Sequence, residues 1–303
     1  MLGLLRHPAC AEHYNGPFHP ESPERLAAVE ARLESDLVSR GAARWIEAPA
    51  ASQDDLLLVH APAHLLRLEE IDAAGGGALD ADTRMSPGSL EAARRAAGAA
   101  VLAAERAMAG EGPSFCAVRP PGHHATPHRG MGFCLLNNAA VAASVAVRRL
   151  GAGRVLVVDW DVHHGNGTAD AFRAEPRVRY VSMHQWPHYP GTGEAADTGC
   201  GNLFHVPRPL GLPASVYTRD LLDAVGDALA GFDPELVVFS AGFDALRGDP
   251  LGGFTWEPED FAALTLAVRG MAGRAALVSV LEGGYDPPRV AEAAARHAAA
   301  LAA

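Results

Sequence analysis

Five short runs rich in apolar and β-branched residues recur along this chain, at 115–118, 155–158, 178–182, 236–240 and 276–281. Between them lie longer Ala- and Leu-rich segments with helical spacing, at 91–109, 138–150, 215–230 and 258–271. Strands this apolar must be covered on both faces, which is the condition of a parallel sheet flanked by helices. The alternation therefore predicts one α/β domain over 1–303, with a doubly wound, mostly parallel sheet and helices on both faces. The triple glycine at 75–77 reads as a loop, since the same alternation continues on either side of it.

At 303 residues the chain can bury a sizeable core, and 49% hydrophobic with 20% charged residues is a globular balance. The net charge of −11 with no basic run argues against a nucleic-acid partner. Arg6 and His7 interrupt the first apolar stretch, and no run approaches the roughly 20 apolar residues needed to cross a bilayer, so neither a secretory signal nor a membrane span is expected. Cys10, Cys116, Cys134 and Cys200 are far apart and form no Cys-x-x-Cys pair, which fits a reduced cytoplasmic protein.

In open parallel sheets the site forms where loops leave the carboxyl ends of the strands. Here four such ends are polar: Arg-Pro-Pro-Gly-His123-His124, Asp159-Trp-Asp161-Val-His163-His164-Gly-Asn166, Ala-Gly-Phe-Asp244 and Glu282-Gly-Gly-Tyr285. In extended chain residues two apart point to the same side, so Asp159, Asp161 and His163 form one row. Carboxylates and imidazole suit a borderline cation such as zinc or iron. With Asp161, His163 and Asp244 as ligands, two carboxylates balance a double charge and leave positions open for water and substrate. An isolated Asp-x-Asp is as readily a helix-capping loop; the histidine pair and Asp244 tip the balance to a metal. His123 and His124 follow a stiff Pro-Pro-Gly turn, and Asp159 and Asn166 are the candidate partners that fix their tautomers. Tyr285 could donate to a developing oxyanion. His7, His13, His60, His184, His188 and His205 read as packing or surface residues.

The motifs RPPGHHA (119–125), GFCLLNN (132–138), VDWDVHHGNGT (158–168), SAGFDALRGDPLGG (240–253) and LEGGYD (281–286), with HPESPERL (19–26), together resemble the zinc-dependent histone deacetylases. The likeness is greatest to the class II branch and its bacterial relatives, and it extends over nearly the whole chain. It implies the arginase-like fold and hydrolysis of an acylated side-chain amine. It implies Zn2+, with Fe2+ tolerated by the same set, on Asp161, His163 and Asp244, and His124 as general base and later acid. His123 with Asp159 would give electrostatic support, and Tyr285 would polarise the acyl oxygen. Asn166 stands where class I members carry Asp, so His124 should have a lower pKa than in that class. By the same resemblance Gly132 offers its carbonyl to the substrate N–H, Phe133 and Tyr189 wall a narrow tunnel, and Arg25 backs an internal acetate cavity. A structural K+ would sit at Asp159 and Ser182. Leu251 stands where a polyamine-selective relative has Glu. This favours acyl-lysine in proteins or peptides over acetylated polyamines, although Asp80 or Asp82 could still place a charge at the rim. A non-catalytic module of the same fold is the third alternative, and a homo-oligomer is compatible with all three.

Overall fold

The computed structural model describes residues 1–303. Eight strands form one sheet: β1 (Leu2–Arg6), β2 (Ala43–Glu47), β5 (Ser114–Cys116), β6 (Val155–Asp159), β7 (Val178–Gln185), β8 (Leu203–Arg208), β9 (Leu236–Ala241) and β10 (Ala276–Leu281). Their order is β2-β1-β5-β10-β9-β6-β7-β8, and every pairing in this sheet is parallel. A separate antiparallel pair, β3 (Gly77–Ala78) and β4 (Arg84–Met85), closes the loop that carries the triple glycine. The central strands are buried along their whole length, as their continuous apolar sequence requires.

Helices cover both faces. One layer holds α4 (Ser89–Met108) and α5 (Asn138–Arg148), flanked by α2 (Gln53–Leu56) and α3 (Pro62–Ala73). The other holds α1 (Pro23–Leu33), α7 (Ala214–Leu229), α8 (Pro258–Ala272) and α9 (Pro287–Ala302), while the short α6 (Asn166–Phe172) follows β6. The inward face of α4 is almost entirely alanine (Ala92, Ala96, Ala99, Ala100, Ala103), which lets this helix lie close on the sheet. No helix is long and apolar enough to cross a membrane.

Two boundaries differ from the sequence expectation. The strand expected at 115–118 stops at Cys116; the Ala117 N–H still donates to the Leu5 carbonyl at 2.9 Å, and the chain then passes into the Pro120-Pro121 segment, which has no N–H groups to extend a ladder. β6 stops at Asp159 and the chain bends at 161–163, so the three side chains do not form an extended row. Asp159 Oδ1 accepts from the Asp161 amide at 3.1 Å, and Asp161 Oδ1 accepts from the His163 amide at 2.9 Å; each carboxylate caps the backbone two residues on.

His297 of α9 lies in the core against Phe115, Trp160, Phe239 and Phe243, fully buried. Thr265 Oγ1 already donates to the Phe261 carbonyl at 2.6 Å, so it accepts from His297 Nδ1 at 2.6 Å, and Ser279 Oγ donates to Nε2 at 2.7 Å. Burial alone pulls this imidazole down to about 3 from 6.5. The unfolded chain therefore takes up a proton that the folded chain refuses. The stabilisation is complete above pH 6.5 and is lost as pH falls from there toward 3. At about pH 5 the loss is about 2 kcal/mol for this one group. Chemical denaturation at about pH 7.5 and about pH 5 should show a larger drop for the unmodified protein than for His297→Leu, by that amount; equal drops would refute the assignment.

Candidate active site

Because all eight strands run one way, the ends of β5, β6, β9 and β10 open on one edge, and the polar segments predicted there converge. Asp161, His163 and Asp244 offer ligand atoms that lie within 4.8 Å of one another, all buried. His163 Nδ1 stands 3.1 Å from Asp161 Oδ1 and 3.1 Å from Asp244 Oδ2. The remaining oxygens are fixed by backbone: Gly283 N–H donates to Asp161 Oδ2 at 2.9 Å and Val162 N–H to Asp244 Oδ1 at 2.8 Å. A Cβ on Gly283 would lie 2.3 Å from Asp244 Oδ2 and 2.5 Å from Asp161 Oδ2, so only glycine fits beneath the pair.

Two carboxylates this close in a dry interior need positive charge between them. Burial pushes Asp244 up, Asp161 pushes it further, and it reaches about 7. Burial opposes protonation of His163, but its bonds to Asp161 and Asp244 prevail and raise it to about 10. Protons are a partial remedy; a divalent cation meets the same demand better, and Asp-His-Asp suits one of borderline softness.

The neighbouring histidines occupy opposite environments. His123 Nδ1 is 3.1 Å from Asp159 Oδ2, and Tyr180 OH donates to that same oxygen at 2.8 Å. Burial works against a charge on His123, but Asp161 and Asp159 outweigh it and lift it to about 10. His124 is held well below its ordinary value, by burial first and then by the charges of His123 and His163. Its Nδ1 is 2.8 Å from Asn166 Oδ1. Since the Asn166 amide nitrogen donates to the His124 carbonyl at 3.4 Å, the oxygen faces the ring, Nδ1 carries the hydrogen, and Nε2 is free to accept a proton.

A cavity of about 220 Å³ leads to these groups, lined by Asp82, His124, Gly132, Phe133, His163, His188, Tyr189, Leu251 and Tyr285. Gly132 and Phe133 have φ of +56° and +68°. A Cβ on Gly132 would meet the His124 ring at 2.5 Å. Phe133 is left-handed without being glycine, a strain of about 1–3 kcal/mol that turns its ring into the wall, where it meets Tyr285 edge-on at 6.0 Å. Tyr189 meets His124 edge-on at 5.1 Å. Arg25 is fully buried behind Tyr285, its guanidinium carbon 5.0 Å from the ring centre, and bonds Glu21 and the carbonyls of Glu282 and Gly284. Ser182 is the register partner of Asp159 across β6–β7, and its hydroxyl faces His184 Nδ1 at 3.0 Å.

Sequence reasoning missed two residues, His188 and Asp249. His188 stacks on His163 at 5.0 Å and lines the cavity; no spacing signal separates it from His184 or His205, which are bonded inside the fold. Of Asp80 and Asp82, it is Asp82 that reaches the mouth. Leu251 is pinned through its backbone: its N–H donates to Asp249 Oδ1 at 2.9 Å, and its carbonyl accepts from His188 Nε2 at 3.0 Å. Asp249 Oδ2 also accepts from the Tyr285 amide at 2.7 Å.

The sequence profile of the histone deacetylase domain matches residues 19–301. A probable deacetylase of Methanothermobacter thermautotrophicus is 42% identical over 290 residues, covering 94% of this chain and 86% of its own. The histone deacetylase-like amidohydrolase of Pseudomonas aeruginosa is 41% identical over 295 residues, covering 94% and 75%. The crystal structure of the HDA15 HD domain superposes with a TM-score of 0.95 at 35% identity, covering 99% of this chain and 88% of that one. With the profile spanning nearly the whole chain and the fold shared, the chain belongs to the histone deacetylase family, whose domain hydrolyses amide bonds.

Proposed function

We propose that this chain is a zinc-dependent deacetylase that removes acetyl or related acyl groups from acyl-lysine in proteins or peptides. The observation that carries this reading is His124 Nε2, an imidazole acceptor kept neutral in a buried cavity that also holds the Asp161–His163–Asp244 cluster and Tyr285. Asp161, His163 and Asp244 would hold a divalent cation, which would supply Lewis acidity toward water and the acyl oxygen. Phe133 and Tyr189 confine the alkyl chain, and the Gly132 carbonyl accepts the substrate N–H. His124 takes the proton of the attacking water at Nε2 and returns it to the departing amine. His123, charged against Asp159, stabilises the negative charge that develops. Burial keeps the Tyr285 phenol protonated, so it stays a donor to the acyl oxygen. Arg25, behind Tyr285, is assigned to the inner end of the cavity where acetate leaves. Asp159 and Ser182 are assigned to a structural K+.

Asp82 at the mouth supports a second reading, an acetylpolyamine amidohydrolase, because a carboxylate there attracts a cationic amide. Leu251 on the same rim weighs the other way, presenting an apolar contact. Specificity constants on acetyl-lysine peptides and acetylspermidine decide between them: a peptide preference is expected, and a large polyamine preference moves the substrate class.

Tyr285→Phe should lower kcat about 10²–10³-fold with the fold intact, the usual cost of one oxyanion donor; full turnover in this variant would remove Tyr285 from the mechanism. Chelation should abolish turnover and zinc should restore it, while Asp244→Ala should no longer retain stoichiometric metal. Persistent activity in metal-free protein would defeat the hydrolytic scheme. Stoichiometric metal without turnover of any acylated amine would point to a binding module.

A further inference from the structure

The segment 119–125 that presents His123 and His124 belongs to no helix or strand. Its placement depends on individual hydrogen bonds. On the α5 side Asn138 Nδ2 donates to the Pro120 carbonyl at 3.1 Å and Asn137 Nδ2 to that of Ala125 at 3.2 Å. On the α6 side Gly167 N–H donates to the His123 carbonyl at 3.0 Å. On the β10 side the tie is one carboxylate. Glu282 Oε2 accepts from the Gly122 amide at 2.6 Å and from the His123 amide at 3.1 Å, two successive N–H groups closing on one oxygen as in an anion-binding nest.

Glu282 is fully buried, and its second oxygen accepts from Ser240 Oγ of β9 at 2.8 Å. The next residue, Gly283, donates its amide to Asp161 Oδ2 at 2.9 Å. Two consecutive residues at the end of β10 thus grip, respectively, the loop of the proton acceptor and a ligand of the cation cluster. A buried carboxylate is a costly way to brace a loop unless the spacing it imposes matters.

We propose that Glu282 is a positioning residue that sets the distance between His124 and the Asp161–His163–Asp244 cluster, acting through the Gly122 and His123 amides. The proposal rests on His124 being the proton acceptor of the hydrolytic reading. It depends on reach and hydrogen-bond acceptance, so two conservative variants separate it from a role for the charge. In Glu282→Gln the amide oxygen still reaches both N–H groups and the amide nitrogen donates to Ser240 Oγ, so kcat should stay within about threefold. Glu282→Asp keeps the charge but is short by one methylene, about 1.5 Å. It should lose about 10- to 100-fold in kcat, the scale of an ångström misplacement, with KM and bound metal unchanged.

A normal kcat in Glu282→Asp overturns the proposal, as does a Glu282→Gln enzyme that is equally impaired. If Glu282→Asp does not fold, Glu282→Gln still decides: near-normal kcat supports the proposal and a collapsed one refutes it. A crystal structure of Glu282→Asp gives a readout independent of turnover; residues 122–124 are expected to shift from the cluster, and an unmoved loop overturns the idea. No turnover by the unmodified chain on any acylated amine would instead sink the functional reading, and that crystal structure would still test the positioning.

Discussion

Two carboxylates, Asp161 and Asp244, sit buried on either side of one imidazole nitrogen, and much of the surrounding structure answers the cost of putting them there. A parallel sheet supplies the means. Its strands end together, leaving backbone N–H groups at the edge that ladders no longer use. Val162 and Gly283 spend theirs on these acids, and glycine at 283 leaves the space the acids fill. What backbone amides cannot supply is a net positive charge, and the upward shifts of His163 and Asp244 point to the same deficit. A divalent cation on Asp161, His163 and Asp244 would meet that deficit, whichever substrate occupies the cavity.

The histidine pair shows how one dipeptide is divided between two environments. His123 turns toward Asp159 and Asp161 and is stabilised as a cation, while His124 turns toward the neutral amide of Asn166 and is held uncharged. Each also acts on the other, since a charged His123 lowers the affinity of His124 for a proton. Groups whose surroundings push them in opposite directions are the usual mark of divided acid–base roles.

The sheet was legible because burial on both faces leaves a continuous apolar signature, and the strand ends at 155–159, 236–241 and 276–281 fall within a residue or two of expectation. The convergence of Asp161, His163 and Asp244 was legible because their spacing placed them beyond adjacent strand ends. The geometry between them was not, since an Asp side chain that caps its own backbone turns extended chain into a bend. His188 escaped notice for a different reason, and Asp82 could not be told from Asp80: such residues reach the cavity from loops whose path is set by tertiary contacts such as the bond from His188 to the Leu251 carbonyl. Glu282 was visible in its motif, but a side chain whose partners are two backbone amides and a buried hydroxyl leaves no pattern in spacing.

That tether at Leu251 bears on how such a protein diversifies. Both backbone groups of this residue are committed, the N–H to Asp249 and the carbonyl to His188, while its side chain points into the cavity and bears on neither bond. Position 251 is thus decoupled: its side chain can change in size or charge without disturbing the supports of His163 or Tyr285. A lineage could retune which amides enter by drifting at one codon, leaving the hydrolytic apparatus untouched.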